Sequence, residues 1–289
     1  MKVALLIAIA VWLPACQRSG PKPITVGSKN FTEQVVLGQI VAQHLERRLG
    51  ERVELRLNLG GTLLAHQALL SGDIDVYPEY SGTALTAILK APLESDLSIV
   101  RERVRSEYSS QFRLRWLKPL GFDNSFAMAV RGEDARKLGL ETLSDAAGKK
   151  TDWRLGVGYE FQQRPDGLPA LMKTYELRLK AAPQSMDLGL LYKALIDRQV
   201  DMIAANGTDG LLSTLDVKVL RDDRSAFPPY EAALVMREDP NRPTLPAVLE
   251  ELSGKFTDET MRKLNYEVDG KHRRVEAVAA EFLQQAGLR

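Results

Sequence analysis

The chain has 289 residues, 44% hydrophobic and 27% charged, enough to bury one large core or two ordinary ones, and we read two lobes. Lys+Arg 39 against Asp+Glu 38 leaves almost no net charge, and no basic run is interleaved with aromatics, which excludes an electrostatic footprint for nucleic acid. His44, His66 and His272 lie far apart without metal-ligand spacing, and a single cysteine supports neither a disulfide framework nor a thiolate cluster, so neither metal nor cofactor is expected.

Lys2, the apolar run Val3 to Leu13 and then "LPAC" predict an export signal over 1–15. The run is too short for a permanent bilayer span, which needs about 20 residues. Pro14 and the following "QRSGPKP" cannot continue a helix. "LPAC" resembles the lipobox of bacterial lipoproteins, which implies cleavage before Cys16, a lipid on Cys16 and a tether over 16–23. The expected product is an extracytoplasmic, periplasmic-type lipoprotein that touches the membrane only through its anchor.

"ITVGS", Ile24 to Ser28, is a strand pattern. Asn30 with Glu33 three positions on has the form of a capping box, and Val36, Leu37, Ile40, Val41 and Leu45 recur at helical spacing until Gly50. Strict alternation from Val53 to Leu59 predicts a half-buried strand. The helix pattern "TLLAHQALLSG" then leads into "DIDVYPEY". This strand, helix, strand, helix, strand order predicts an α/β lobe with a mostly parallel sheet. Tyr77, Trp116 and Trp153 follow strand patterns and are read as core. Tyr80 differs, because the strand passes from it straight into the small polar turn Ser81-Gly82-Thr83.

The same grammar returns later. "LYKALIDRQVDMIAANGTDGL" lies over "AHQALLSGDIDVYPEYSGTAL" with Ala194-Leu195 on Ala68-Leu69, Asp201 on Asp75 and Asn206 on Tyr80. "RLGVGYEFQQRPDG" repeats the strand-glycine-turn of "ITVGSKNF", placing Gly158 where the first lobe has Gly27. Two such lobes, with polar loops at the carboxyl ends of their strands, would face each other across a cleft. "FPPYEAALVMRED" reads as a stiff connector and a strand, and the helical remainder is expected to pack on the first lobe. That makes lobe 1 discontinuous, 24–126 with 232–289, around lobe 2 at 127–231, with hinge closure as the expected motion.

"GSKNFTEQ", "NLGGT", "GDIDVYPEYSGTAL", "RPDG" and "FPPY", in this order, resemble the substrate-binding proteins of glycine betaine, choline and related osmoprotectant ABC transporters. The resemblance covers nearly the whole chain after Ile24. It implies a two-lobed, type II periplasmic-binding-protein fold, a monomer that delivers its ligand to an ABC permease, and an aromatic cage for a quaternary ammonium group. Carried over by position, it implies that Tyr80 and Tyr230 are cage walls, that Thr83 contacts the ligand, and that Lys29, Glu160 and Arg164 are polar cleft residues, the arginine facing a carboxylate. A trimethylammonium group has no N–H to donate, so aromatic faces are its natural partners. Two positions depart from the pattern: Phe126 stands where a tyrosine is usual and keeps its π face, whereas Asn206 replaces a tyrosine with an amide that both donates and accepts. The ligand is therefore expected to be glycine betaine, choline or a related betaine, with a bulkier or more polar ligand such as ergothioneine as the alternative.

Other classes are less well supplied. An enzyme using Glu160 as acid or base and Lys29 as its electrostatic partner would lack a nucleophile in motif spacing, a metal set and a phosphate loop. A ligand-sensing lipoprotein is the remaining alternative, since the chain carries no DNA-binding segment.

Overall fold

The structure is a computed structural model that describes residues 22–288; the expected export signal, Cys16 and most of the expected tether lie outside the described residues. Ten strands carry the architecture: β1 Ile24–Gly27, β2 Val53–Arg56, β3 Val76–Tyr80, β4 Leu114–Asp123, β5 Phe126–Arg131, β6 Leu155–Val157, β7 Gln184–Ser185, β8 Met202–Asn206, β9 Val217–Leu220 and β10 Glu231–Arg237. They form two five-stranded sheets, ordered β2-β1-β3-β10-β4 and β7-β6-β8-β5-β9. In each, three parallel strands are followed by one that runs antiparallel to both neighbours. That antiparallel strand, β10 or β5, is the first one built after the chain crosses from the other lobe. Mostly parallel lobes with crossover helices follow from the sequence order, and the single reversal comes from the crossing.

The internal duplication is visible in backbone hydrogen bonds. Asp75 N–H donates to Thr25 O and accepts Thr25 N–H on Oδ2, each at 2.8 Å; Asp201 N–H donates to Arg154 O at 2.8 Å and accepts Arg154 N–H on Oδ2 at 3.2 Å. Thr25 thus corresponds to Arg154, which corrects the glycine alignment: Gly156, not Gly158, occupies the place of Gly27. Both glycines pack against the residue before the equivalent aspartate, Gly27 on Ile74 and Gly156 on Val200. The two alignments differ by two residues, the strand repeat, so the face of the strand is the same in both and only the register changes.

The helix α1, Thr32–Leu49, buries Val36, Leu37, Ile40, Val41 and Leu45 against the first sheet, each worth about 1.5–3 kcal/mol. Gly50, with φ 65°, closes it by donating to Glu46 O at 3.0 Å. The capping box does not form: Phe31 is the N-cap without a side-chain bond, and Glu33 turns away from the helix start. β2 is also shorter than its alternation, ending at Arg56 because Asn58 enters the left-handed region with φ 58°. The C-terminal helices pack back on the first lobe, where Gln43 Nε2 donates to Glu276 O at 2.9 Å and Arg48 pairs with Glu251 at 2.8 Å.

The chain leaves the first sheet at Asn124–Ser125 and returns between β9 and β10. One carboxylate joins the two crossings: Asp123 accepts Ser125 N–H at 2.8 Å on Oδ1 and Tyr230 N–H at 2.6 Å on Oδ2. Asn124 N–H adds a bond to Tyr230 O at 3.1 Å.

Candidate functional site

A cavity of about 570 Å³ lies between the two sheets, at the carboxyl ends of β1, β3, β6 and β8. Lys29, Tyr80, Thr83, Phe126, Glu160, Arg164, Asn206 and Tyr230, the residues singled out from sequence, all line it. Strand ends and the turns after them deliver these side chains, which is why short motifs far apart in sequence converge here.

Two aromatic groups form its walls. Tyr80, the last residue of β3, lies nearly parallel to Phe31 with ring centres 6.3 Å apart. Phe126, the first residue of β5, meets Phe161, Phe227 and Tyr230 edge to face at 4.8, 5.5 and 5.2 Å. Asn206 ends β8 directly opposite Phe126 in the sheet register, so an amide stands beside the ring cluster at that corner. Thr83 is buried in the turn after Tyr80.

Each basic group of the cavity has its own carboxylate. Lys29 is 2% exposed, pairs with Glu79 at 2.5 Å and sits 5.2 Å from the centre of the Tyr80 ring. A buried ammonium requires such a partner. Arg164 donates through Nε to Asp166 Oδ1 at 3.0 Å, and its guanidinium lies 5.3 Å from the Phe126 ring and 5.7 Å from the Tyr230 ring. Burial works against its charge, but Asp166 holds the group well above the ordinary arginine value. Tyr230 OH donates to the same Asp166 at 2.6 Å, so arginine, tyrosine and aspartate form one fixed unit.

Glu160 reaches across the cavity. The helix α2, Thr62–Ser71, starts at Gly61, which has no side chain to satisfy the free N–H groups. Glu160 of the other lobe does so, accepting Thr62 N–H at 2.5 Å and Thr62 Oγ1–H at 2.9 Å. Gly61 is required by this approach, since a Cβ there would lie 2.4 Å from the carboxylate oxygen. Burial pushes the Glu160 carboxyl up, but Lys29, Arg164 and the Thr62 bonds outweigh it and leave it below its ordinary value.

Glu33, which local spacing marks only as half of a capping box, belongs to the cavity. Its Oε1 accepts Tyr80 OH at 2.6 Å and Asn124 Nδ2 at 2.9 Å, while Oε2 accepts the Thr208 hydroxyl and, at 3.1 Å, Asn265 Nδ2. One carboxylate thereby joins a wall tyrosine, a crossing, the loop after β8 and the C-terminal helix Asp258–Asp269. Burial raises its pKa to about 7, against the pull of these bonds, with nearby Asp209 adding to the rise. Asp209 is itself pushed up to about 6 by burial, opposed by Asn206 N–H and Tyr192 OH and reinforced by Asp269. Asp166 is likewise hidden, in "RPDG", as a turn residue. Its only sequence signal is the aspartate two places after the arginine that it holds.

Comparisons with known proteins identify the family. Residues 22–285 match the family of the substrate binding domain of ABC-type glycine betaine transport systems. The chain is 35% identical to the ergothioneine transport permease/ergothioneine binding protein EgtU of Helicobacter pylori, over 98% of this chain but only 51% of that protein. It is 33% identical to the carnitine transport binding protein OpuCC of Listeria monocytogenes, over 97% of this chain and 94% of that one. The solved structure of a glycine betaine/carnitine/choline ABC transporter superposes with a TM-score of 0.78 at 31% identity, covering 92% of this chain and 99% of the other. The fold is accordingly that of the two-lobed type II periplasmic binding proteins, and the chain belongs to the family of substrate-binding domains of ABC-type glycine betaine transport systems.

Proposed function

We propose that the cleft captures a quaternary ammonium or betaine-like solute and that the closed protein delivers it to a membrane permease, without chemical conversion. The observation that carries this is a single cavity walled by Tyr80, Phe31, Phe126 and Tyr230 and fitted with Arg164 and Lys29. Ring faces attract a methylated ammonium, each by roughly 0.5–2 kcal/mol when desolvated, while the fixed arginine offers planar donors to a carboxylate. Lys29, Thr83, Glu160 and Asn206 complete the proposed contact set. Closure would be stabilised by the ligand, giving the permease a bound form to recognise. We further propose an extracytoplasmic lipoprotein anchored through Cys16, with a discontinuous lobe 1 around lobe 2; against the expected bounds, Phe126, which opens β5 in the second sheet, goes with lobe 2, and Glu231, which opens β10 in the first, goes with lobe 1.

A second reading has its own support. Asn265 Oδ1 is buried without a donor, and Asn206 brings a further amide to the cavity. A betaine whose side group carries an N–H, as ergothioneine does, would satisfy such an acceptor. Isothermal titration with glycine betaine, choline, carnitine, proline betaine and ergothioneine tests both readings. Tighter binding of ergothioneine selects the second, and silence toward all five rejects the ligand class.

A further inference from the structure

The charges of the cavity do not balance in pairs. Glu79 answers Lys29 and Asp166 answers Arg164, yet among the described residues no Lys, Arg or His forms an ion pair with Glu33 or Asp209. Glu33 is 2% exposed, and all four groups that donate to it are uncharged. A buried carboxylate without a counter-ion is a costly arrangement unless something else supplies the positive charge. The Tyr80 ring, bonded through its hydroxyl to Glu33 and flanked by Phe31, brings an aromatic face and an uncompensated carboxylate to the same part of the cavity. A trimethylammonium group can use both, since it offers charge but no N–H.

Building on the ammonium reading of the cleft, we propose that Glu33 is the counter-charge for the cationic head of the ligand and determines selectivity for a cation over an uncharged molecule of the same shape. The groups that face Glu33 are Tyr80 from β3, Asn124 from the first crossing, Thr208 and Asp209 from the loop after β8, and Asn265 from the C-terminal helix, with Asp269 acting on Asp209. A cation entering among them favours the ionised form of Glu33. Its pKa of about 7 in the free protein then falls on binding, a proton is released, and affinity rises with pH through that value. A return to the ordinary glutamate range corresponds to about half a proton released at pH 7 and a roughly tenfold gain in affinity from pH 6 to pH 8.

The test is calorimetric titration of the full chain in buffers of different ionisation enthalpy, using two isosteric pairs. Glycine betaine is compared with 3,3-dimethylbutanoate, and choline with 3,3-dimethylbutan-1-ol. Proton release by the wild type, and a preference for the ammonium member that shrinks at least tenfold in Glu33→Gln, support the role. A merely structural Glu33 would weaken both members of a pair equally, and that result overturns it, as does equal wild-type affinity for the two members of a pair, a measurement that needs no variant. If neither ammonium compound binds, and carnitine and ergothioneine are also silent, the ligand class fails and this role fails with it.

Discussion

A methyl group at Gly210 should act as a wedge between the lobes. Gly210 lies in the loop after β8, where it meets the helix Asp258–Asp269 of the other lobe, and a Cβ there would stand 2.4 Å from Tyr266 N and 2.6 Å from its Cα. Ordinary contact begins at 3.4 Å, so the loop and the helix must separate by about 1 Å, and the obstacle is helical backbone that cannot rotate aside. The bonds lost or stretched are those that close the cleft at this edge, Asn265 Nδ2 to Thr208 O at 2.9 Å and Arg262 Nε to Gly207 O at 2.8 Å. Overpacking of this kind costs about 1–3 kcal/mol, which, charged against the closed form, weakens ligand binding roughly 5- to 150-fold. Gly148→Ala, where nothing lies within 4 Å, is the matched control. Titration of the ammonium and betaine panel, paired with small-angle scattering of the loaded protein, measures both affinity and closure. A Gly210→Ala protein with wild-type affinity and a wild-type scattering profile would refute the wedge and the closed contact on which it rests.

Tyr80→Ala removes a ring wall and should weaken ligand binding by about 1–3 kcal/mol; because the ring is buried and its hydroxyl bonds Glu33, the unfolding midpoint should fall as well, and a lower midpoint with unchanged affinity would mean that the ring is core alone. Glu160→Ala strips the cross-cleft cap from Thr62 N–H and should cost about 1 kcal/mol of affinity at low salt with little change in the stability of the free chain; unchanged affinity sinks that role. Asp201 has a pKa lowered to about 2, because bonds from Arg154 and Arg131 outweigh the upward push of burial. Its contribution, about 2 kcal/mol, is complete above the ordinary aspartate value and fades as pH falls toward 2, so Asp201→Asn should destabilise at pH 7 and cease to matter in acid. Urea unfolding at both pH values reads this directly. Cys16→Ser should move the protein from the membrane to the soluble fraction, and unchanged partition rejects the anchor.

The parts of the fold legible in the sequence were those set by local periodicity. The apolar positions of α1, the strand ending at Tyr80 and the helical C-terminus each follow from spacing within one element. Glycine register was half legible, because a two-residue slip preserves the face of a strand and only cross-strand hydrogen bonds distinguish Gly156 from Gly158. Glu33 was illegible for another reason. Its position suits a capping box, and nothing local reveals that its partners Asn124, Thr208 and Asn265 come from 91, 175 and 232 residues away. Asp166 and Asp209 were lost in the same way, as loop aspartates whose chemistry depends on groups folded against them.

Asp123 gives the two crossings a common pivot. Because its carboxylate is bonded to the backbone of both, the proposed closure would turn about one stitched point rather than two independent joints, and the residues beside that point would travel least. Tyr230 is bonded to it directly and Phe126 immediately follows the first crossing, so in that closure their rings would keep nearly the same mutual position whether the jaws are apart or together. On the proposed function, a solute would lodge on this stationary corner first, and the distant rim around Thr62 and Glu160 would shut over it afterwards.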